Sequence, residues 1–226
     1  MHKVARVGYT VELEQGRSAC SESIHAFLRA VESLSEYDLF GASRCHGWSR
    51  LDVVVHVIAG WHDMLGGLVS LVTSEPSVDA ASYWSAFAAE YATDDPVLGL
   101  MTQRRRTGTY ARPAAVSDQL RDVAAALLRG VDGFPDKPCL WQGHVFAPGD
   151  FLAVWAVEDV VHHLDLLSEE PPPASALGLA RTTIEVLVEA PMPSSLSDQE
   201  AVLIGTGRLP VPDGLSSLAS RLPALG

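Results

Sequence analysis

Glu158 and His162 stand four residues apart in a segment that reads as helix, which puts their side chains on one face, about one turn apart. A carboxylate and an imidazole so placed can grip one cation, and the helix orients them in advance. Asp159 and His163 repeat the spacing one residue on, so spacing alone leaves the register open. A third candidate, His56, lies in the middle of an otherwise apolar helical stretch. Its own stripe, Asp52, Val53, Ala59, Gly60 and Asp63, is small and polar beside the Val54, Ile58, Trp61, Leu65 side. A histidine there is either a core residue bonded to a carbonyl or a ligand facing the bundle interior, where bundles place metal sites. Two imidazoles and one carboxylate suit zinc first, with nickel or iron as alternatives. Three protein ligands leave coordination positions open, the mark of a catalytic rather than a structural metal. Cys20, Cys45 and Cys139 lack the spacing of a closed zinc site and read as small buried hydrophobes.

The elements that must position these residues are mostly helical. Residues 1–17 read as a strand over Val4 to Leu13 or an irregular lead-in, with a helix from Ser18 burying Ile24, Phe27, Leu28, Val31 and Leu34. Ser49 is a good N-cap for a second helix reaching about Thr73. Residues 79–93 suggest a third, with Tyr83, Trp84, Phe87 and Tyr91 inward. A short apolar piece and a basic loop at Arg104, Arg105 and Arg106 follow, then a helix from Ala114 to Leu128. Cys139 to Phe146 is too short and irregular to assign. Asp150 is a plausible N-cap for the helix that carries Glu158 and His162, which runs to about Ser168 before Pro171-Pro172-Pro173. Another helix covers Ser175 to Val188. Prolines then punctuate a tail in which Ala201 to Ile204 suggests a short strand. The division is a helical bundle over residues 1–190 and a small appendage over 191–226.

Composition bounds the function. The chain has 226 residues, 47% hydrophobic and 19% charged, enough for a sizeable core and too apolar for disorder. A net charge of -12 argues against a nucleic-acid partner. No apolar run is long enough for a membrane span. Met1 to Thr10 lacks an apolar signal region, and the unpaired cysteine pattern fits a reducing cytosol, so a cytoplasmic location is expected. Lys3 and Lys137 are the only lysines; this arginine and alanine bias suggests a GC-rich, actinobacterial type of host.

Gly47-Trp48-Ser49-Arg50-Leu51-Asp52, followed by His56 and Gly60-Trp61, resembles a signature of the mycothiol-dependent maleylpyruvate isomerase family, in the DinB/YfiT-like superfamily. The Glu158…His162…Asp165-Leu166 run is similar to the family's second motif, and Gly207-Arg208 with Pro210 to an element near its C-terminus. The resemblance covers most of the chain and favours the Glu158/His162 register. It implies a mainly α fold: a DinB-like up-and-down four-helix bundle with the metal at one end and a small C-terminal α/β appendage. It also implies mycothiol as co-substrate. Where many relatives carry arginine, three residues before the glutamate, this chain has Trp155, which puts maleylpyruvate itself in doubt and points to a more apolar substrate.

The expected chemistry is a borrowed nucleophile. A divalent metal held by His56, Glu158 and His162 deprotonates the thiol, whose sulfur then attacks a small electrophile. Elimination after bond rotation makes an isomerase; retention of the sulfur makes an S-transferase. Asp165 is a candidate acceptor for a ligand's ring N–H. Arg208 is a candidate partner for a carboxylate of thiol or substrate. Trp48, Trp155 and His144 are candidates for binding substrate or thiol, and His46, His62 and His163 for acid–base roles. Arg104 to Arg106 reads most simply as a solvated loop, or as a grip for an anionic ligand. A monomer or homodimer is expected. The competing readings are a non-catalytic ligand- or metal-binding protein of resistance type, and a metallohydrolase working without thiol.

Overall fold

The computed structural model describes residues 8–91 and 95–225. Its elements are α1 (Leu13–Glu32), α2 (Arg50–Val69), α3 (Ser82–Tyr91), α4 (Pro96–Thr107), α5 (Pro113–Asp132), β1 (Cys139–Trp141), β2 (His144–Phe146), α6 (Pro148–Asp165), α7 (Ala174–Leu187) and α8 (Asp198–Gly205). The described residues are mainly helical, in a DinB-like fold. None of their helices is long and apolar enough to cross a membrane.

Four long helices, α1, α2, α5 and α6, make the bundle. Their directions follow from side-chain neighbours. Gly16 of α1 meets Gly149 of α6, and Ser23 meets Asp159 further along, so these two run parallel. Gly67 of α2 abuts Phe151, while His56 abuts Glu158, so α2 runs against α6. Arg17 of α1 donates to carbonyls at the end of α5, and Arg121 of α5 pairs with Glu32, so α5 runs against α1. The sequence of directions is therefore up, down, down, up. The long 70–112 connection is what lets α5 lie beside α2 in the same sense.

The contact of α1 with α6 is backbone on backbone. A Cβ on Gly16 would sit 2.5 Å from the Gly149 carbonyl oxygen, and one on Gly149 would collide with Val11 O. Gly16 is thus a packing residue inside the helix, and α1 begins at Leu13, before the expected Ser18. Of the expected strand from Val4 to Leu13, residues 4–7 lie outside the described residues, and 8–12 form none.

Other boundaries move for local reasons. Ser49 caps α2, as expected, and Asp52 completes a reciprocal box with it. The helix stops at Val69 instead of Thr73 because the backbone beyond it pairs with the hairpin: Leu140 N donates to Ser70 O, and Val72 N to Pro138 O. The hairpin itself, unassigned from sequence, turns through Gln142 and Gly143, both at positive φ (46° and 75°), the two-residue turn that matches strand twist. The expected basic loop is the last turn of α4, which Asp95 caps and Pro96 opens; three arginines suit the negative end of a helix. Tyr83 is buried and Trp84 and Phe87 partly so, as expected, while Tyr91's side chain lies outside the described residues. Ala201 to Ile204, expected as a strand, lies in α8, capped by a Ser197/Glu200 box; among the described residues the strands are at 139–146. In the tail, Met192, Ile204, Leu215 and Leu218 form a small cluster, while Val202 and Leu203 join the main core.

Asp150 is not the N-cap of α6. Pro148 takes the first helical position after Ala147, and Asp150 instead accepts a 2.7 Å bond from Val11 N. Burial, with Asp79 adding to it, raises its pKa from 3.8 to about 7. The folded chain therefore holds a proton there that the unfolded chain has released between those values, and this residue's contribution to stability falls as pH rises from about 4 to about 7. Asp150→Asn is expected to flatten that slope, by up to about 1.4 kcal/mol per pH unit, in urea unfolding followed at pH 5, 6 and 7.

Candidate metal and substrate site

Every residue of α6 is buried except Glu158. A helix apolar on all sides belongs at the centre of a fold, and its one opening is at this carboxylate. Glu158 Oε1 lies 3.1 Å from His162 Nε2 and 3.6 Å from His56 Nε2, and the two imidazole rings stand 4.8 Å apart at 72°. One donor atom from each of the three side chains lies within 4.8 Å of the others. His56 is carried there by the second turn of α2, and Trp48 packs edge-on against it at 5.2 Å. The alternative register is used structurally. Asp159 turns into the core, where Trp61 Nε1 donates to it at 2.8 Å and Ser23 Oγ lies 3.1 Å away; burial raises its pKa to about 7. His163 Nε2 meets Glu170 O at 2.8 Å.

A second row stands behind the first. Asp165 Oδ2 lies 3.0 Å from His162 Nδ1, and Arg208 grips the same carboxylate through Nε and Nη2 at 3.0 and 2.9 Å. Cys45 Sγ reaches Asp165 Oδ2 at 3.1 Å and lies 3.8 Å from Arg208 Nη2. Burial alone would raise Asp165's pKa, but His162 and Arg208 hold it well below the carboxylate range. Burial would also lower His162, yet the Glu158 charge and the Asp165 and Cys45 hydrogen bonds hold it well above its ordinary value. The same neighbours act on Glu158, whose burial is outweighed by His162 and His56, leaving it strongly acidic. His56, by contrast, is lowered, first by its burial. Cys45, His162 and Asp165 also cluster closely enough to suggest a metal set. A guanidinium already occupies both oxygens of that carboxylate, so the position a cation would take is filled by Arg208.

A cavity of about 250 Å³ opens on the Glu158 side of the triad. Its floor is Ala59 and Gly60 of α2, the small stripe beside His56. A Cβ on Gly60 would press within 3.2 Å of the Trp155 ring, so glycine there makes room for that indole. Trp155, Trp141, Trp84 and Phe87 form the walls, and Arg106 and Asp63 bring charge. Trp141 reaches the wall from the hairpin, 4.9 Å from Trp155 between ring centres.

Residues 20–167, about two thirds of the chain, match the mycothiol maleylpyruvate isomerase N-terminal domain. The chain belongs to the mycothiol maleylpyruvate isomerase family. Two crystal structures are similar to it: the mycothiol-dependent maleylpyruvate isomerase, at TM-score 0.55 and 13% identity, and a histidine-to-alanine mutant of that enzyme, at 0.54 and 12%. Each alignment covers 77% of this chain and 70% of the other. At such identity the likeness carries the fold. No curated protein matches the chain significantly.

Both motifs by which the maleylpyruvate isomerase family was identified in the sequence converge in space. His56, Glu158 and His162 meet directly, Asp165 and Arg208 pair behind them, Trp48 packs on His56, and Trp155 walls the cavity. His144 sits on β2 with its ring 6.1 Å from Tyr83, and it is not among the cavity-lining residues. Three positions of the candidate site were missed or read only in part from the sequence. Cys45, read as a buried hydrophobe, is half-buried and hydrogen-bonded into the second row. Arg106, in a run read as a solvated loop or a grip for an anionic ligand, lines the cavity, while its neighbour Arg104 binds Gly47 O and the buried Asp52. Trp141 lies in the segment left unassigned. The His-Gly-Trp run at 46–48 was the available signal for Cys45, since it fixes the loop leading into α2.

Proposed function

We propose that this protein is a metal-dependent isomerase or S-transferase that uses mycothiol against a small electrophile. The observation that carries the reading is the convergence of His56, Glu158 and His162 donor atoms at the mouth of an aromatic cavity. The donor set fits a divalent ion, zinc before nickel or iron: two imidazoles, one carboxylate, and Asp165 beside His162 Nδ1 so that Nε2 is the nitrogen presented. An ion held there supplies Lewis acidity, which lowers a thiol's pKa from about 8.5 and frees its nucleophile at neutral pH.

The chain's residues do the rest. Arg208 fixes Asp165, which orients His162. Trp155 and Trp141 keep water from the reacting carbons, and Trp48 holds His56 in place. For an alkene conjugated to a carbonyl, sulfur forms a C–S bond at one alkene carbon as the π electrons move towards the carbonyl. Rotation about the new single bond follows, and breaking C–S returns the thiolate with no net change in atoms. Retention of that bond, with a proton added at the neighbouring carbon, is the transferase outcome.

The test is turnover of conjugated carboxylates by the purified protein, with and without mycothiol and with and without a chelator. Product is expected only when both thiol and metal are present. Turnover without thiol would favour a metallohydrolase, and binding without product a sequestering protein.

A further inference from the structure

We propose that the cavity selects an electrophile with a planar, largely apolar body about one aromatic ring in size and a single carboxylate, received by Arg106. The reactivity of such a molecule rests on the thiol chemistry above; its binding does not.

The walls argue for the flat apolar body. Trp84 and Phe87 come from α3, Trp141 from β1 and Trp155 from α6, so three separate elements each contribute aromatic surface to one space. Trp141 and Trp155 pack on each other at 51°, joining the aromatic surface of the hairpin to that of α6. The volume, about 250 Å³, exceeds the roughly 150 Å³ apolar cavity that accepts benzene, leaving room for one ring and its substituents.

The charges argue for one carboxylate. Arg106 is the single permanent cation of the lining, against the acids Glu158 and Asp63. It makes no ion pair among the described residues, unlike Arg104, which is committed to Asp52. An anionic group entering the cavity finds this guanidinium ready for a charge-assisted bond. A second carboxylate finds no further cation, only aromatic faces and acids, and would be desolvated without a partner. A guanidinium placed at position 155 would supply the missing partner.

The test is binding without thiol, read by calorimetry on the protein as purified and again after chelation. The probes are cinnamate and benzoate as aryl monoanions, cinnamamide as the neutral analogue, and maleate as a small dianion. The aryl carboxylates are expected to bind saturably in both preparations and more tightly than maleate. Arg106→Ala is expected to weaken them by about tenfold or more while changing cinnamamide by less than about twofold. Trp155→Arg is expected to reverse the order of cinnamate and maleate. Absence of saturable aryl carboxylate binding, tighter maleate binding by the wild type, or an unchanged cinnamate affinity in Arg106→Ala would each overturn the proposal. Because this binding is measured without thiol and survives chelation, its failure is distinguishable from failure of the metal and thiol reading.

Discussion

His56→Ala and Glu158→Ala are each expected to leave the helical content intact and to lower affinity for a divalent metal by more than a hundredfold. Removing an outer partner of a metal ligand typically costs 10–100-fold, and removing a ligand costs more. Glu158 is the stricter case. It is the one opening in an otherwise buried helix, and its oxygen lies next to both imidazoles. Without it, His56 and His162 face each other with no anion between them. Both side chains are partly exposed, at 35% and 31%, so alanine leaves little empty space and folding should survive. Chelator competition on the purified variants, with circular dichroism alongside, checks this. Full metal retention by both variants would remove the ligand assignment.

Arg208→Ala is the second large effect, and it should appear in two readouts. Asp165 is fully buried and takes two hydrogen bonds from this guanidinium. Deleting this partner leaves the buried carboxylate with only His162 and Cys45 beside it, a loss of up to about 3–5 kcal/mol in unfolding free energy. Asp165 would then hold His162 less firmly, and metal affinity should fall by about 10–100-fold. Arg208→Lys keeps a charge but not the two-pronged geometry, so it is expected to recover part of the stability and less of the affinity. Urea unfolding with chelator competition separates the two. A stability loss with unchanged metal affinity would make Arg208 a purely structural residue.

The candidate triad was legible in part because its signals are local, and the family resemblance chose Glu158/His162 over the equally spaced Asp159/His163. A four-residue spacing on a helix and a histidine interrupting an apolar run are readable without knowing what they face. The Ser49 cap was readable for the same reason, since backbone chemistry alone sets it, whereas α6 ends at Asp165, with Leu167 at positive φ, short of the expected Ser168 and well before Pro171 to Pro173. The cavity was not. Its walls come from α3, β1 and α6, and no periodicity in the chain links Trp84, Trp141 and Trp155. Arg106 looked solvated because Asp95 and Pro96, which open α4, announce a helix too weakly amphipathic to stand out. Cys45 has no local mark of its role, because its partners Asp165 and Arg208 lie 120 and 163 residues away. The Ala201 to Ile204 run illustrates the ambiguity of short apolar segments. Branched residues favoured a strand, and the Ser197/Glu200 box just before them decided for a helix.

Anomalous diffraction at the zinc edge from crystals of the zinc-loaded protein tests the central assignment most directly. One peak is expected about 2.0–2.2 Å from His56 Nε2, a Glu158 carboxylate oxygen and His162 Nε2, with Arg208 still on Asp165. A peak at Cys45 and Asp165 instead, or none near His56, would contradict it.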